Sequence, residues 1–119
     1  MPARAYFRAH ERRRVDFPAK LCVHDPAGSP PKRNVRVRDL GLGGAGIEIP
    51  EGERELSAPV TIELLAPALW DPLVLEGKIA WIRRGGQGRP ARAGVRFEHR
   101  EPATLYGLFQ FLGAHVHGA

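Results

Sequence analysis

The strongest constraint in this sequence is a period of two that keeps returning and keeps being cut off. Val15, Phe17, Ala19, Leu21 and Val23 alternate with Asp16, Pro18, Lys20, Cys22 and His24. Successive side chains of a strand point to opposite faces, so this run reads as a half-buried strand. The same rhythm recurs in NVRVRDL (34–40), around Ile47 and Ile49, at Val60, Ile62 and Leu64, in LVLEGKIAWIRR (73–84) and in AGVRFEH (93–99). Between these runs lie turn clusters such as DPAGSPPK (25–32) and GGQGRP (85–90). Glycine and proline number 14 and 11, too many for a helical bundle and suited to short elements joined by turns.

Parity assigns the faces. Val35 and Val37 point inward against Arg36 and Arg38; Leu73, Leu75, Ile79 and Trp81 share one parity; Ala93, Val95 and Phe97 share another. Pro18 has no amide to donate, which puts its strand at an edge or delays its pairing. In EPATLYGLFQFLGAHV the period changes, with Leu105, Leu108, Phe109 and Leu112 at helical spacing behind Pro102. A helix over about 102–115 is expected, its stripe packed over the barrel or extending a partner surface. Six short strands and one terminal helix predict an all-β domain, a small six-stranded antiparallel β-barrel plus a C-terminal α-helix. With 119 residues the chain is one domain: a flexible basic arm over 1–14, then the barrel and helix over 15–115.

Charge is unevenly spread. The formal net charge is +5, and basic residues cluster at 4–20, 32–38 and 78–100. Acids dominate 48–76, where Arg54 alone opposes Glu48, Glu51, Glu53, Glu55, Glu63, Asp71 and Glu76. Such polarity suits an anionic partner on one face. No run approaches the roughly 18 apolar residues of a membrane span. The leader MPARAYFRAHERRR lacks an apolar segment after its basic residues, so a cytoplasmic protein is expected.

Catalytic arrangements are poorly represented. The lone cysteine, Cys22, excludes a disulfide framework and a cysteine-rich zinc site. Cys22 and His24 share a strand face but lack an orienting third group. His115 and His117 read as tail residues rather than metal ligands, and no Walker A, GxSxG or HExxH motif occurs. No enzyme activity, cofactor or metal is expected.

Binding features are better represented. Arg8 and Arg12 stand four apart in the arm, and Arg12, Arg13 and Arg14 run together; guanidinium groups suit phosphates. Asp39 ends a strand with Arg36 and Arg38 on its outer face, and its carboxylate matches the paired donors of a guanine edge. A turn using Asp39 for its own backbone is the alternative. Four glycines follow in GLGGAG (41–46), a stretch needing positive φ or close approach. Trp81 is either a core residue or a stacking surface for a purine.

Taken in order, these segments resemble the PilZ domain family. RAHER (8–12) or RRR (12–14) resembles its RxxxR arm, and DLGLGG (39–44) its [D/N]xSxxG motif. IAW (79–81) resembles its apolar-apolar-Trp triplet, and GVRF (94–97) its GVxF strand. The resemblance spans residues 8–113 and implies a PilZ-like barrel that binds cyclic di-GMP and signals to a bacterial protein partner. It implies ligand-binding roles for Arg8, Arg12, Arg13, Arg14, Asp39, Gly41, Gly44 and Trp81. Gly41 stands where the family has serine and offers no hydroxyl. Directly before the first strand the arm pair reads His10 and Arg14, while the intact Arg8–Arg12 pair lies further out. A degenerate PilZ adaptor without nucleotide binding is the alternative, and nucleic-acid binding by a basic barrel is a distant third.

Overall fold

A computed structural model describes residues 12–24, 32–50, 59–66, 71–86 and 88–113. Arg8, His10, His115 and His117, most of the arm, and the expected helix beyond 113 lie outside them. The strands are β1 (Arg13–Val23), β2 (Arg33–Leu40), β3 (Gly44–Ile49), β4 (Pro59–Leu64), β5 (Leu73–Arg83) and β6 (Ala91–Phe97). Among the described residues one helix, α1 (Pro102–Phe111), follows. All strand pairs are antiparallel and close in the order β1-β2-β3-β6-β5-β4, as an all-β barrel with a terminal helix.

Alternation builds the interior. Phe17, Ala19 and Leu21 of β1, Val35 and Val37 of β2, Ile47 and Ile49 of β3 and Val60, Ile62 and Leu64 of β4 are buried. Leu75 of β5 and Ala91, Ala93, Val95 and Phe97 of β6 complete that lining. Closure leaves β1 no free edge. Its ladder to β4 nevertheless starts only at Ala19, so the missing amide of Pro18 falls just outside it. β1 begins at Arg13, so the last two residues assigned to the arm belong to the barrel wall.

The helix departs from its expected face. Leu108 (0% exposed) and Phe111 are its buried residues, whereas Tyr106 (61%) and Phe109 (59%) stand out and Leu105 is partly exposed. Phe111 meets Phe17 edge-on with centroids 5.8 Å apart, and a Cβ at Gly107 would stand 3.3 Å from Leu73 Cδ1. The helix therefore plugs a barrel end rather than lying along its side. Only the inner flank of a helix with three apolar flanks finds cover there.

Candidate functional site

Three bulges break the alternation, and each presents a candidate residue on the outer wall. Against β3, β2 carries one extra residue between Val37 and Asp39. Arg38 and Asp39 both face outward there, and Leu40 returns to the core. Against β6, β5 carries one extra residue between Ile79 and Trp81, so Ala80 and Trp81 are both exposed. Against β2, β1 gains a residue between Arg14 and Phe17, which sets Arg14 opposite Asp39. A bulge inserts one unpaired residue and re-aims the side chains beside it.

Trp81 is accordingly not a core residue sharing the parity of Ile79. It is 44% exposed and lies over Gly94, its partner across the β5–β6 ladder. A Cβ at Gly94 would stand 2.9 Å from Trp81 Cδ1 and nearer still to Nε1. Asp39 does the same over Gly46: a Cβ there would collide with its carboxylate, 2.9 Å from Cγ. Its Oδ1 accepts the Gly46 amide at 3.0 Å and Arg12 Nη1 at 3.1 Å. The carboxylate thus serves as an acceptor for a strand amide beside the bulge.

In register, Arg14, Asp39, Gly46, Gly94 and Trp81 form one row across β1, β2, β3, β6 and β5. Asp39 and Trp81 stand three strand spacings apart, roughly 14 Å. Gly46 and Gly94 lie in that interval, and each carries a neighbour's side chain, the Asp39 carboxylate on the first and the Trp81 indole on the second. Arg12 hangs over the next row, where a Cβ at Gly44 would stand 2.9 Å from its Nη2. It reaches both Asp39 and the Gly44 surface, and among the described arm residues its guanidinium is the one bonded to Asp39. Arg13 pairs with Leu40 at the strand's start.

The glycines work by close approach. Among the described residues only Gly88 has positive φ, at 79°. Gly44 and Gly46 are strand residues rather than bend residues, leaving Gly41–Gly43 for the turn. Gly41 is buried, and its amide donates to Gly44 O at 2.9 Å. His99 Nε2 lies 2.6 Å from Leu42 O, and the Phe97 amide donates to Gly43 O at 2.9 Å. The turn is thus tied to the strand that carries Gly94.

Gly46 and Gly94 were not singled out from sequence as site residues, and neither were Arg92 and Arg96 beside Gly94. Parity was the available signal, because Arg92, Gly94 and Arg96 are alternate residues on one outward face. Elsewhere the histidine of the Cys22–His24 pair is bonded to Thr61. Among the described residues no cluster of three or more metal-ligating side chains occurs. No helix among them is long and apolar enough to cross a membrane.

Comparison with known proteins fits this geometry. The PilZ domain model matches residues 4–113. The PilZ domain of YcgR from Escherichia coli, solved with c-di-GMP, superposes with a TM-score of 0.66 at 17% identity, covering 87% of each chain. The PilZ domain of CeSA from a cellulose-synthesizing bacterium gives 0.64 at 17% identity, over 87% of this chain and 95% of that one. The inhibitor of motility MotI/DgrA from Bacillus subtilis gives 0.64 at 8% identity, over 86% of this chain and 47% of that one. A search of curated proteins returns no significant match. PilZ domains are ligand-binding and adaptor domains rather than known enzymes. With the family model spanning nearly the whole sequence, and the barrel closing as these relatives close, this chain belongs to the PilZ domain family.

Proposed function

We propose that this chain is a cyclic di-GMP receptor module that passes the signal on through protein contacts. The observation carrying this reading is the row from Asp39 across Gly46 and Gly94 to Trp81, with Arg12 suspended above it. One guanine would present its N1 and N2 donors to Asp39. Trp81 would stack on the second guanine. Arg12, with Arg8, Arg13 and Arg14, would supply guanidinium groups to the phosphates. Arg12 already rests on Asp39, so ligand entry exchanges one charged contact for several. The residues preceding β1 would serve as the arm that closes on the ligand. Only a difference in affinity between the two arm states can drive that switch. A cytoplasmic location goes with a soluble second messenger.

Calorimetric titration of the whole chain with cyclic di-GMP tests this reading. Micromolar binding that is lost in Arg12→Ala and in Asp39→Ala supports it. No heat at hundreds of micromolar in the parent protein overturns it. Gly41→Ser restores the hydroxyl found in the family motif and is expected to tighten binding about tenfold, one polar hydrogen bond's worth.

One observation favours the adaptor reading as a second possibility. Leu105, Tyr106 and Phe109 form an apolar helix face together with Pro102 and Ala103. Leu42, from the Asp39–Gly44 turn, completes it. A protein partner seated there would contact the same turn that borders the nucleotide site.

A further inference from the structure

The outer face of the β5–β6 ladder carries an arrangement that its own stability does not explain. Trp81 pairs with Gly94, and the outward pairs on either side are Lys78 with Arg96 and Arg83 with Arg92. Both flanking pairs are like-charged. Like charges directly opposite one another destabilise a sheet, and opposite charges would serve the same positions better. Two members are relieved by neighbours. Lys78 Nζ lies 3.5 Å from Glu98 Oε2, and the Arg83 guanidinium sits 5.8 Å from the Trp81 ring centre. Arg92 and Arg96 make no ion pair among the described residues. Glu48 lies opposite Arg92 on β3, yet its carboxylate pairs with Arg38 at 3.7 Å. Arg96 faces Gly44 on that side, the glycine beneath the Arg12 guanidinium.

We propose that Arg96 and Arg92 are phosphate-binding residues on the barrel wall, gripping the backbone of a cyclic dinucleotide from either side of Gly94. The proposal rests on the cyclic di-GMP reading and deepens it. Arg92, Gly94 and Arg96 are alternate residues of one strand, so the two arginines rise on the same face on either side of Gly94 and of the Trp81 indole that lies on it. Arg96 pairs with Gly44 across the β3–β6 ladder, and the Arg12 guanidinium lies over that same glycine. The ligand's two negative charges then offset the like-charged pairs of this ladder, and the phosphates are held even where the arm contributes little.

The test combines calorimetry and thermal melting on the whole chain, for the parent, Arg96→Gln, Arg92→Gln and the control Lys20→Gln. Lys20 lies on β1 between Asn34 and Glu63, away from this face. Each wall variant is expected to bind cyclic di-GMP about ten- to hundredfold more weakly and with a shallower salt dependence, while Lys20→Gln binds as the parent does. Without ligand the wall variants should melt at the parent's temperature or above it, because a like-charge pair has been relieved. Parent-like affinity in both wall variants overturns the wall assignment and leaves the receptor reading standing. A fall in apo melting temperature that accompanies the lost affinity also overturns it, making these arginines structural. A parent protein that binds no cyclic di-GMP overturns both.

Discussion

Gly46→Ala is expected to change the sign of its effect with the residue at position 39. The three atoms nearest an added methyl all belong to the Asp39 carboxyl group, with Cγ at 2.9 Å. Gly46 has no positive φ, so alanine suffers no backbone strain there. The methyl must displace the carboxylate and break its bond to the Gly46 amide, a loss of about 1–2 kcal/mol. The Arg12 contact adds little, because both side chains remain partly in water. Alanine in a strand regains about 0.5–1 kcal/mol over glycine. The net cost is about 0–1.5 kcal/mol, or a melting temperature lower by up to roughly 8 °C for a domain of this size. In an Asp39→Ala background the obstacle is gone, and the same change is expected to stabilise by about 0.5–1 kcal/mol. A double-mutant cycle read by denaturant melts gives a coupling of about 1–2 kcal/mol. Equal costs in the two backgrounds would refute the reasoning, because the collision would then be with something other than Asp39.

Gly94→Ala should push the indole off the wall; in a Trp70→Phe background Trp81 emission is expected to shift to the red, with little loss of stability. Gly77→Ala meets Arg96 O of the backbone and Val95 Cγ1 at 3.0 Å, and is expected to cost about 1–3 kcal/mol by overpacking, more than Gly46→Ala. Leu108→Ala should cost about 2–5 kcal/mol in denaturant melts, and Tyr106→Ala less than about 0.5 kcal/mol, because the first side chain is enclosed and the second faces water. Comparable costs for the two would overturn this placement of the helix.

The strands were readable because burial on one side enforces strict alternation, and every inward residue expected in β1 from Phe17 to Leu21 is buried. The bulges were not readable. One extra residue at Ala80 reverses all parity beyond it, and nothing in IAWIRR distinguishes a continuous strand from an interrupted one. Trp81 therefore remained divided between core and surface until its pairing with Gly94 was known. Asp39 was readable as a candidate because it ends an alternating run just before the glycines. That it lies down on Gly46 was not, since the contact joins two strands whose register a bulge shifts. The helix face failed for a related reason. Leu105, Leu108, Phe109, Phe111 and Leu112 offer more apolar surface than one barrel end covers, and spacing alone does not choose among flanks. The glycine run was read for either positive φ or close approach, and only tertiary contacts could decide for the latter.

The most direct test is a titration of isotope-labelled protein with cyclic di-GMP, followed by amide and indole resonances. The account expects the Gly44, Gly46 and Gly94 amides and the Trp81 indole NH to shift together and saturate with a single affinity, while Lys20, Glu63 and Leu21 stay still. Saturating shifts confined to the β1–β4 side, or no shifts at millimolar ligand, would contradict it.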